Sequence, residues 1–490
     1  MTLDKENNTI ESEPISASPT KDFFVEMLTR DIELEDAILD LLDNCVDGIQ
    51  RTIKNTARIN ATQKPYKGFW AKIDFSSQHF KLEDNCGGIP IEIAREYAFK
   101  MGRPANSLEK DSDVYTIGTY GIGMKRAIFK IGRSSSILSQ TDSDCFKVSI
   151  DSKWLSSDDW MLQLEKTPEC LKENGTVVEV TELRDVVKQE FSSSDSKAFV
   201  NDLVGKISHH YRYILDKGFE VWVNEKKVPV QPIRLLWDGI EKIKSHSSVI
   251  APFLYKAKQD DIDIEIAVGL YRDIVNEEDL DNEMEGIRRS SETAGWTIVC
   301  NDRVVVYCDK TRLTGWGESK LPSYHPQFIA ITGIVNLRSM NTRKLPLTTT
   351  KRGIDASSEI YLYVKEYMRE GLKLFTNYTN KWKTNALAEK ERVSKTQPAN
   401  LSDIFEQIPK ELWKPVRRRG DDKFSDERKY IPTLPMPESK SSLSKPRRIN
   451  FSRPDKEVRL VAEYLFEDPE KSPSEVGDGS FDMVLREAKK

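Results

Sequence analysis

Apolar and polar positions change their spacing several times along the chain, and each change marks an element. Over residues 33–50 apolar side chains return every three or four positions. Ile38, Leu41, Leu42, Cys45 and Ile49 form one stripe, which predicts a helix. "FWAKIDF" and "HFKLED" alternate apolar and polar positions and predict paired strands, as do "FKVSID" and "GTVVEVTEL". This alternation of helix and strand delimits a first domain over residues 21–185. A second, over 190–377, begins with a helical pattern in "FVNDLVGKISHHYRYIL" and continues with strand patterns in "FEVWVN", "GWTIVCNDRVVVYC" and "FIAITGIVNL".

Residues 378–453 read as an exposed helix, "KWKTNALAEKERVSKTQ", and then a basic Pro/Ser-rich linker poor in large apolar residues. Apolar spacing returns in "EVRLVAEYLF", so 454–490 are expected to form a small helical element. The polar residues 1–20 are expected to be disordered.

Composition narrows the class. A chain of 490 residues exceeds what one core serves, so several domains are expected. The net charge of −5 gives no global reason for nucleic-acid binding and leaves only local basic patches to do it. The six cysteines contain no Cys-x-x-Cys pair, which argues against a zinc ribbon or a disulfide framework. No apolar run reaches the roughly 18 residues that a membrane span needs, and the acidic N-terminus is unlike a signal peptide. A cytoplasmic protein with no membrane partner is expected.

Opposite the apolar stripe of residues 33–50 lie Asp36, Asp40, Asn44 and Asp47, with Asp43 at the edge and no base from Asp31 through Gln50. Acids this concentrated repel one another. Either the face is simply solvated, or a cation or water network occupies it, and sparse oxygen ligands suit Mg²⁺. Further on, "LEDNCGGIP" ends a strand in Gly87-Gly88, which permit positive φ and close backbone approach. Asp84 at that strand end can accept from an exocyclic amine. In "IGTYGIGMKRAIFKIG", Gly118, Gly121 and Gly123 precede a helix whose first N–H groups make an anion cradle, with Lys125 at its mouth. The polar stretch "MGRPANSLEKDSDVYT" before it is long enough to fold over a ligand, and Thr176 offers a hydroxyl at a strand start.

Taken in order, these motifs over residues 21–183 resemble the GHKL superfamily: gyrase B, the ninety-kilodalton heat-shock chaperone, histidine kinases, MutL and the MORC ATPases. "GTYGIGMK" has the MORC form of its motif, with a lysine at Lys125. The resemblance implies an α/β sandwich of Bergerat type, a mixed and mostly antiparallel sheet with helices on one face. An α+β transducer-like domain and a basic, partly disordered C-terminal region are expected to follow it. It also implies ATP and Mg²⁺ as ligands. Asn44 would hold the metal, Asp84 would read the adenine amine with Thr176 in support, and Asp47, Gly88, Gly118, Gly121, Gly123 and Lys125 would complete the nucleotide site. Two positions depart from the family. Asp40 stands where hydrolysing members carry a glutamate, so a slow general base is expected, and Cys86 replaces the first turn glycine.

In such relatives a transducer lysine touches the γ-phosphate. Lys351 in "NTRKLPLTTTKRGID" is assigned that role, with Lys344 and Arg352 as alternatives. The function so implied is ATP-driven dimerisation or clamp closure on DNA, the latter helped by Arg417–Arg419 and Arg447–Arg448. A chaperone acting on protein clients and a nucleotide-sensing switch with little turnover remain as alternatives. A histidine kinase would need a phosphoacceptor, and His209 or His210 is the only helical candidate.

Overall fold

The computed structural model describes residues 20–54, 64–102, 114–118, 121–168, 171–192, 196–245, 248–275, 293–348, 351–416, 424–437 and 452–489. The chain divides into two compact units, residues 1–436 and 437–490. In the larger unit, helices α1 (Lys21–Arg30) and α2 (Leu34–Lys54) precede strands β1 (Trp70–Phe75) and β2 (Phe80–Asp84). Helix α3 (Gly123–Ile131) leads into β3 (Gly132–Gln140), β4 (Cys145–Ile150), β5 (Leu164–Lys166) and β6 (Gly175–Leu183). Helix α4 (Ser196–His210) is followed by β7 (Glu220–Val223) and β8 (Lys226–Lys227).

These eight strands form one sheet in the order β5-β4-β3-β6-β2-β1-β7-β8. Only β1 and β7 run parallel. One face carries the core. Ile38, Leu42, Cys45 and Ile49 of α2 and Ala127 and Ile128 of α3 pack over Ile73, Leu82, Val178 and Val180. Lys72, Lys147 and Glu179 alternate outward into solvent, as one-sided burial requires. The α/β sandwich expected from the sequence is present. Its sheet runs past residue 190, however, because β7 and β8 join it after α4.

A second sheet follows. Strand β9 (Leu235–Trp237) pairs with β15 (Gln397–Ala399) as a separate two-stranded ribbon. The main sheet contains β10 (Phe253–Gln259), β11 (Ile262–Leu270), β12 (Gly295–Cys300), β13 (Arg303–Asp309), β14 (Ile331–Ser339), β16 (Lys414–Pro415) and β17 (Phe424–Tyr430), in the order β13-β12-β14-β11-β10-β17-β16. Helix α5 (Glu359–Trp382) covers it, burying Val364, Met368, Leu372 and Phe375 against Ile264, Ile266 and Val268.

Two readings of the sequence change here. The predicted exposed helix is the end of α5 plus α6 (Ala386–Val393), and Trp382, Ala386, Glu389 and Val393 are buried. Part of the predicted linker is β17, which pairs with β10. Glu427 pins it by accepting from the hydroxyls of Tyr255 (2.9 Å), Tyr367 (2.5 Å) and Tyr363. Its sequence, FSDERKY, is charged and lacks an apolar alternation, so this strand reads as linker. The basic residues Arg417–Arg419 and Arg447–Arg448 and the stretch 103–113 lie outside the described residues.

Helix α4 faces both sheets. The His209 ring stacks on Tyr307 at 4.4 Å, and Nδ1 of His210 lies 2.8 Å from the Val304 carbonyl. Burial lowers His210 to about 3, so it is neutral and engaged with β13. The β12–β13 hairpin tip makes a second join. Asp302 accepts from Lys217, Arg338 (2.9 Å) and Tyr66 (3.3 Å), and Asn301 donates to the Thr116 carbonyl at 2.7 Å.

The smaller unit is a helical hairpin of α7 (Asp455–Phe466) and α8 (Pro473–Ala488) that buries Ala462 and Val476. Ser472 and Glu475 close α8 with a capping box. Among the described residues no helix is long and apolar enough to cross a membrane.

The fit of α5 on its sheet gives a stability test. A Cβ at Gly371 would overlap Val268 and Phe253, whereas one at Gly205 in α4 meets nothing within 4 Å. Gly371→Ala is expected to cost about 1–3 kcal/mol by overpacking. Gly205→Ala is expected to gain about 0.4–1 kcal/mol through a less flexible unfolded chain. Chemical denaturation followed by circular dichroism measures both, and equal shifts would contradict this packing.

Candidate active site

Helix α2 is buried on its acidic side as well as its apolar one. Asp36, Asp40, Asp43 and Asp47 are all buried, and Asn44 alone in that row is exposed. Carboxylates in such surroundings require partners. The chain supplies cations from elsewhere. Arg126, on the first turns of α3, donates through Nε (2.9 Å) and a terminal nitrogen (2.5 Å) to Oδ2 of Asp40. Lys351 Nζ lies 2.8 Å from Oδ2 of Asp43 and 3.8 Å from Oδ1 of Asp40. Arg303 of β13 and the Tyr211 hydroxyl reach Oδ1 of Asp43 at 3.1 and 2.6 Å. Arg352 pairs with Asp36 and with Glu33. The face read as solvated or cation-occupied is largely neutralised by the protein's own bases.

The two central acids then differ. Burial pushes the Asp40 carboxyl up, and Lys351 and Arg126 only partly oppose it. Burial acts the same way on Asp43, but Lys351, Arg303 and Tyr211 together bring it below the usual carboxylate range.

Asp47, expected to contact nucleotide, spends both oxygens on the glycine loop. It accepts from the N–H of Ile117 at 2.6 Å and of Gly118 at 2.9 Å. Gly121 has φ +69°, a left-handed conformation that glycine adopts without a Cβ penalty. Gly123 opens α3 directly over Asp40, where a Cβ would stand 3.4 Å from that of the acid. Lys125 Nζ donates to the carbonyls of Ala98 (2.7 Å) and Gly121. Its pKa falls to about 7 through burial alone.

At the other end, Asp84 is buried and accepts from the Cys86 N–H at 2.7 Å and from the Cys45 thiol at 3.4 Å. Burial raises it to about 6. Thr176 pairs with Asp84 across β2 and β6, and its hydroxyl lies 3.2 Å from that of Ser139. The turn takes its positive φ at Gly87 (+95°) and Gly88 (+72°). A side chain is therefore accommodated at Cys86. Both cysteines are buried with raised pKa values, as packing residues rather than nucleophiles.

One cleft joins the two ends, with about 1200 Å³ of non-atom space partly open to solvent. Asp40, Asn44, Asp47, Asp84, Gly88, Gly118, Gly121, Gly123, Lys125, Thr176 and Lys351 all line it. Of the three basic candidates in the second domain, only Lys351 lines the cleft. Lys344 pairs with exposed Asp261 and Arg352 with Glu33 and Asp36. Lys351 holds φ +55°, an uncommon conformation for a residue with a side chain.

Arg126 and Arg51 also line the cleft and were missed in the sequence. The missing base along α2 was the available signal for Arg126, since buried acids need a partner from another element. Among the described residues no group of three His, Cys, Asp or Glu could hold a metal. The exposed Asn44 amide in the cleft suits Mg²⁺, which takes its remaining ligands from phosphate and water.

A family model described as histidine kinase-, DNA gyrase B-, and HSP90-like ATPase matches residues 32–184. No curated protein matches the chain. The matched span runs from the start of α2 to the end of β6 and so contains every cleft residue named above except Lys351. Residues 32–184 are thus an ATPase domain of the GHKL type.

Proposed function

We propose that the chain hydrolyses Mg²⁺-bound ATP slowly, and that the γ-phosphate draws the second domain onto the first. The observation that carries this reading is Lys351. It comes from the second domain yet stands in the cleft beside Asp40 and the glycine loop. Asp84 takes the adenine amine, Thr176 and Gly88 bound the base, and the α3 N-terminus with Lys125 receives the phosphates. Asn44 holds Mg²⁺, which supplies charge neutralisation along the phosphates when bound. Asp40 orients a water. As the water oxygen bonds to the γ-phosphorus, the bond to the β,γ-bridging oxygen breaks and its electron pair stays on ADP. Asp40 takes the proton and passes it to solvent.

Lys351 discriminates the nucleotides. A γ-phosphate gives its ammonium a stronger partner than Asp43 alone, whereas ADP leaves it on Asp43 and Asp40. Contact energy present in only one state is what shifts a population. Dimerisation and closure around DNA follow the GHKL resemblance. The lining of the cleft by an asparagine, a glycine cradle and a second-domain lysine favours this reading over a histidine kinase, because His209 and His210 are engaged with β13.

Three outcomes are expected. Asp40→Asn should lower turnover by about 10²-fold or more while ATP affinity is kept, since general-base help is worth about 10²–10⁴-fold. Wild-type turnover in that variant would remove Asp40 as the base.

Light scattering should show a doubled mass with a non-hydrolysable ATP analogue and no change with ADP. Lys351→Met should lose the response. The same mass with both nucleotides would end the gating reading.

The third concerns pH. Lys125 has a free-state pKa of about 7, and bound phosphate favours its charged form. Binding therefore takes up a proton above that pH, and affinity should fall as pH rises, by up to about tenfold per unit. Calorimetry between about pH 7.5 and 9 should show this slope in the wild type and its loss in Lys125→Met. A slope equal in both proteins would contradict the assignment.

A further inference from the structure

Asp40 is one methylene shorter than the glutamate expected at its place, and a shorter acid reaches less far into the cleft. Its surroundings are unequal on its two oxygens. Oδ2 receives both Nε and a terminal nitrogen of Arg126 at 2.9 and 2.5 Å. Among the described residues Oδ1 receives no such clamp, and Lys351 Nζ lies 3.8 Å from it. Both partners of the pair are buried, with side-chain exposures of 8% and 5%, so the contact is shielded from solvent competition. Arg126 is itself fixed. It sits inside the first turns of α3, whose first residue, Gly123, lies so near Asp40 that an added Cβ would stand 3.4 Å from the Cβ and Cγ of the acid. The helix that carries the phosphate cradle therefore also carries the group that holds the acid.

We propose that Arg126 is a positioning residue for hydrolysis: by pinning Oδ2 it fixes the rotamer of Asp40 and presents Oδ1 to the attacking water. This rests on the ATPase reading above and adds to it a residue to which the sequence analysis gave no role. A guanidinium suits the task because its planar fork grips one oxygen from two nitrogens, which a lysine ammonium cannot reproduce. Through α3 the position of the acid is tied to the position of the phosphates. A loosely held short carboxylate would lose the alignment on which general-base catalysis depends. Before nucleotide binds, Lys351 remains as a second counter-charge to Asp40, so the acid is not left unpaired as the Arg126 variants fold.

The test uses the full chain in five forms: wild type, Arg126→Met, Arg126→Lys, Asp40→Asn, and Asp40→Asn combined with Arg126→Met. ATP turnover gives kcat and KM, and calorimetry with a non-hydrolysable analogue and Mg²⁺ gives affinity and checks that the cleft is folded. Arg126→Met should lower kcat by about 10–100-fold, a part of the general-base contribution, with KM and affinity within about threefold. Arg126→Lys should recover part of kcat by restoring charge without the fork. In the Asp40→Asn background, Arg126→Met should cost no further kcat, because a residue acting through another has nothing left to act on.

A kcat that stays the same or rises in Arg126→Met would overturn the proposal, a rise meaning that the pair holds Asp40 inert. Equal multiplicative losses in the two backgrounds would also overturn it, as would a loss confined to KM. A wild type that binds ATP without turning it over would instead defeat the hydrolytic reading, and Arg126 as a positioner with it. Normal wild-type turnover with an indifferent Arg126→Met would defeat the positioning role alone.

Discussion

The burial of four carboxylates along one helix is the constraint on which the rest of the larger unit depends. Helix α2 places Asp36, Asp40, Asp43 and Asp47 inside the protein, where isolated charges are prohibitively costly. Each is met by a different part of the chain. Arg126 of α3 meets Asp40, Arg303 of β13 and Lys351 meet Asp43, Arg352 meets Asp36, and the glycine-loop amides meet Asp47. Neutralising the row therefore requires α3, the glycine loop and the second domain to be in place together. Such pairs add little net stability compared with apolar packing, but removing one partner from a buried pair typically costs about 3–5 kcal/mol. They specify an arrangement more than they strengthen it.

That arrangement divides the cleft into a firm end and a responsive one. At the Asp84 end the contacts are short, local and made largely with backbone: the Cys86 N–H, the strand pairing with Thr176, and two glycines in left-handed conformation. Nothing there spans two domains. At the Asp40 end every charged contact bridges separate elements, and Lys351 comes from a loop of the second domain. In the proposed function, binding energy gathered at the firm end is indifferent to the state of the phosphates, whereas charge added at the responsive end would redistribute bonds between domains.

Local and periodic features were legible in the sequence. The stripe of α2, the strand alternation and the spacing of Gly118, Gly121 and Gly123 all follow from neighbours in the chain, and Asp40, Asn44, Asp47, Asp84 and these glycines all line the cleft. What was not legible depends on packing between distant segments. Nothing near Arg126 announces that it turns back to Asp40, 86 positions away. The acidic side of α2 reads as a surface because its partners lie on other elements. Strand β17 reads as linker because it is charged and lacks apolar alternation, and its pairing with β10 and the three tyrosines on Glu427 appear only in three dimensions. Strands β7 and β8 read with the second block because they follow α4, yet β7 completes the first sheet by pairing parallel to β1.

The choice of cations follows the same logic of distance. Where a contact must hold, at Asp40 and at Oδ1 of Asp43, the chain uses arginines, whose planar groups stay charged and fix direction. Where a contact must be given up to a ligand, it uses lysines, point charges on flexible stems. Lys351 keeps its ammonium on Asp43 at 2.8 Å but pays for its place with a left-handed backbone, a strain that any rearrangement of its loop can relieve. Lys125 rests on two carbonyls, which stabilise a cation far less than a phosphate does. In the proposed function both lysines would exchange these partners for a triphosphate, while the arginines stay on their carboxylates, so that a γ-phosphate would move the lysines and leave the framework of α2, α3 and β13 fixed.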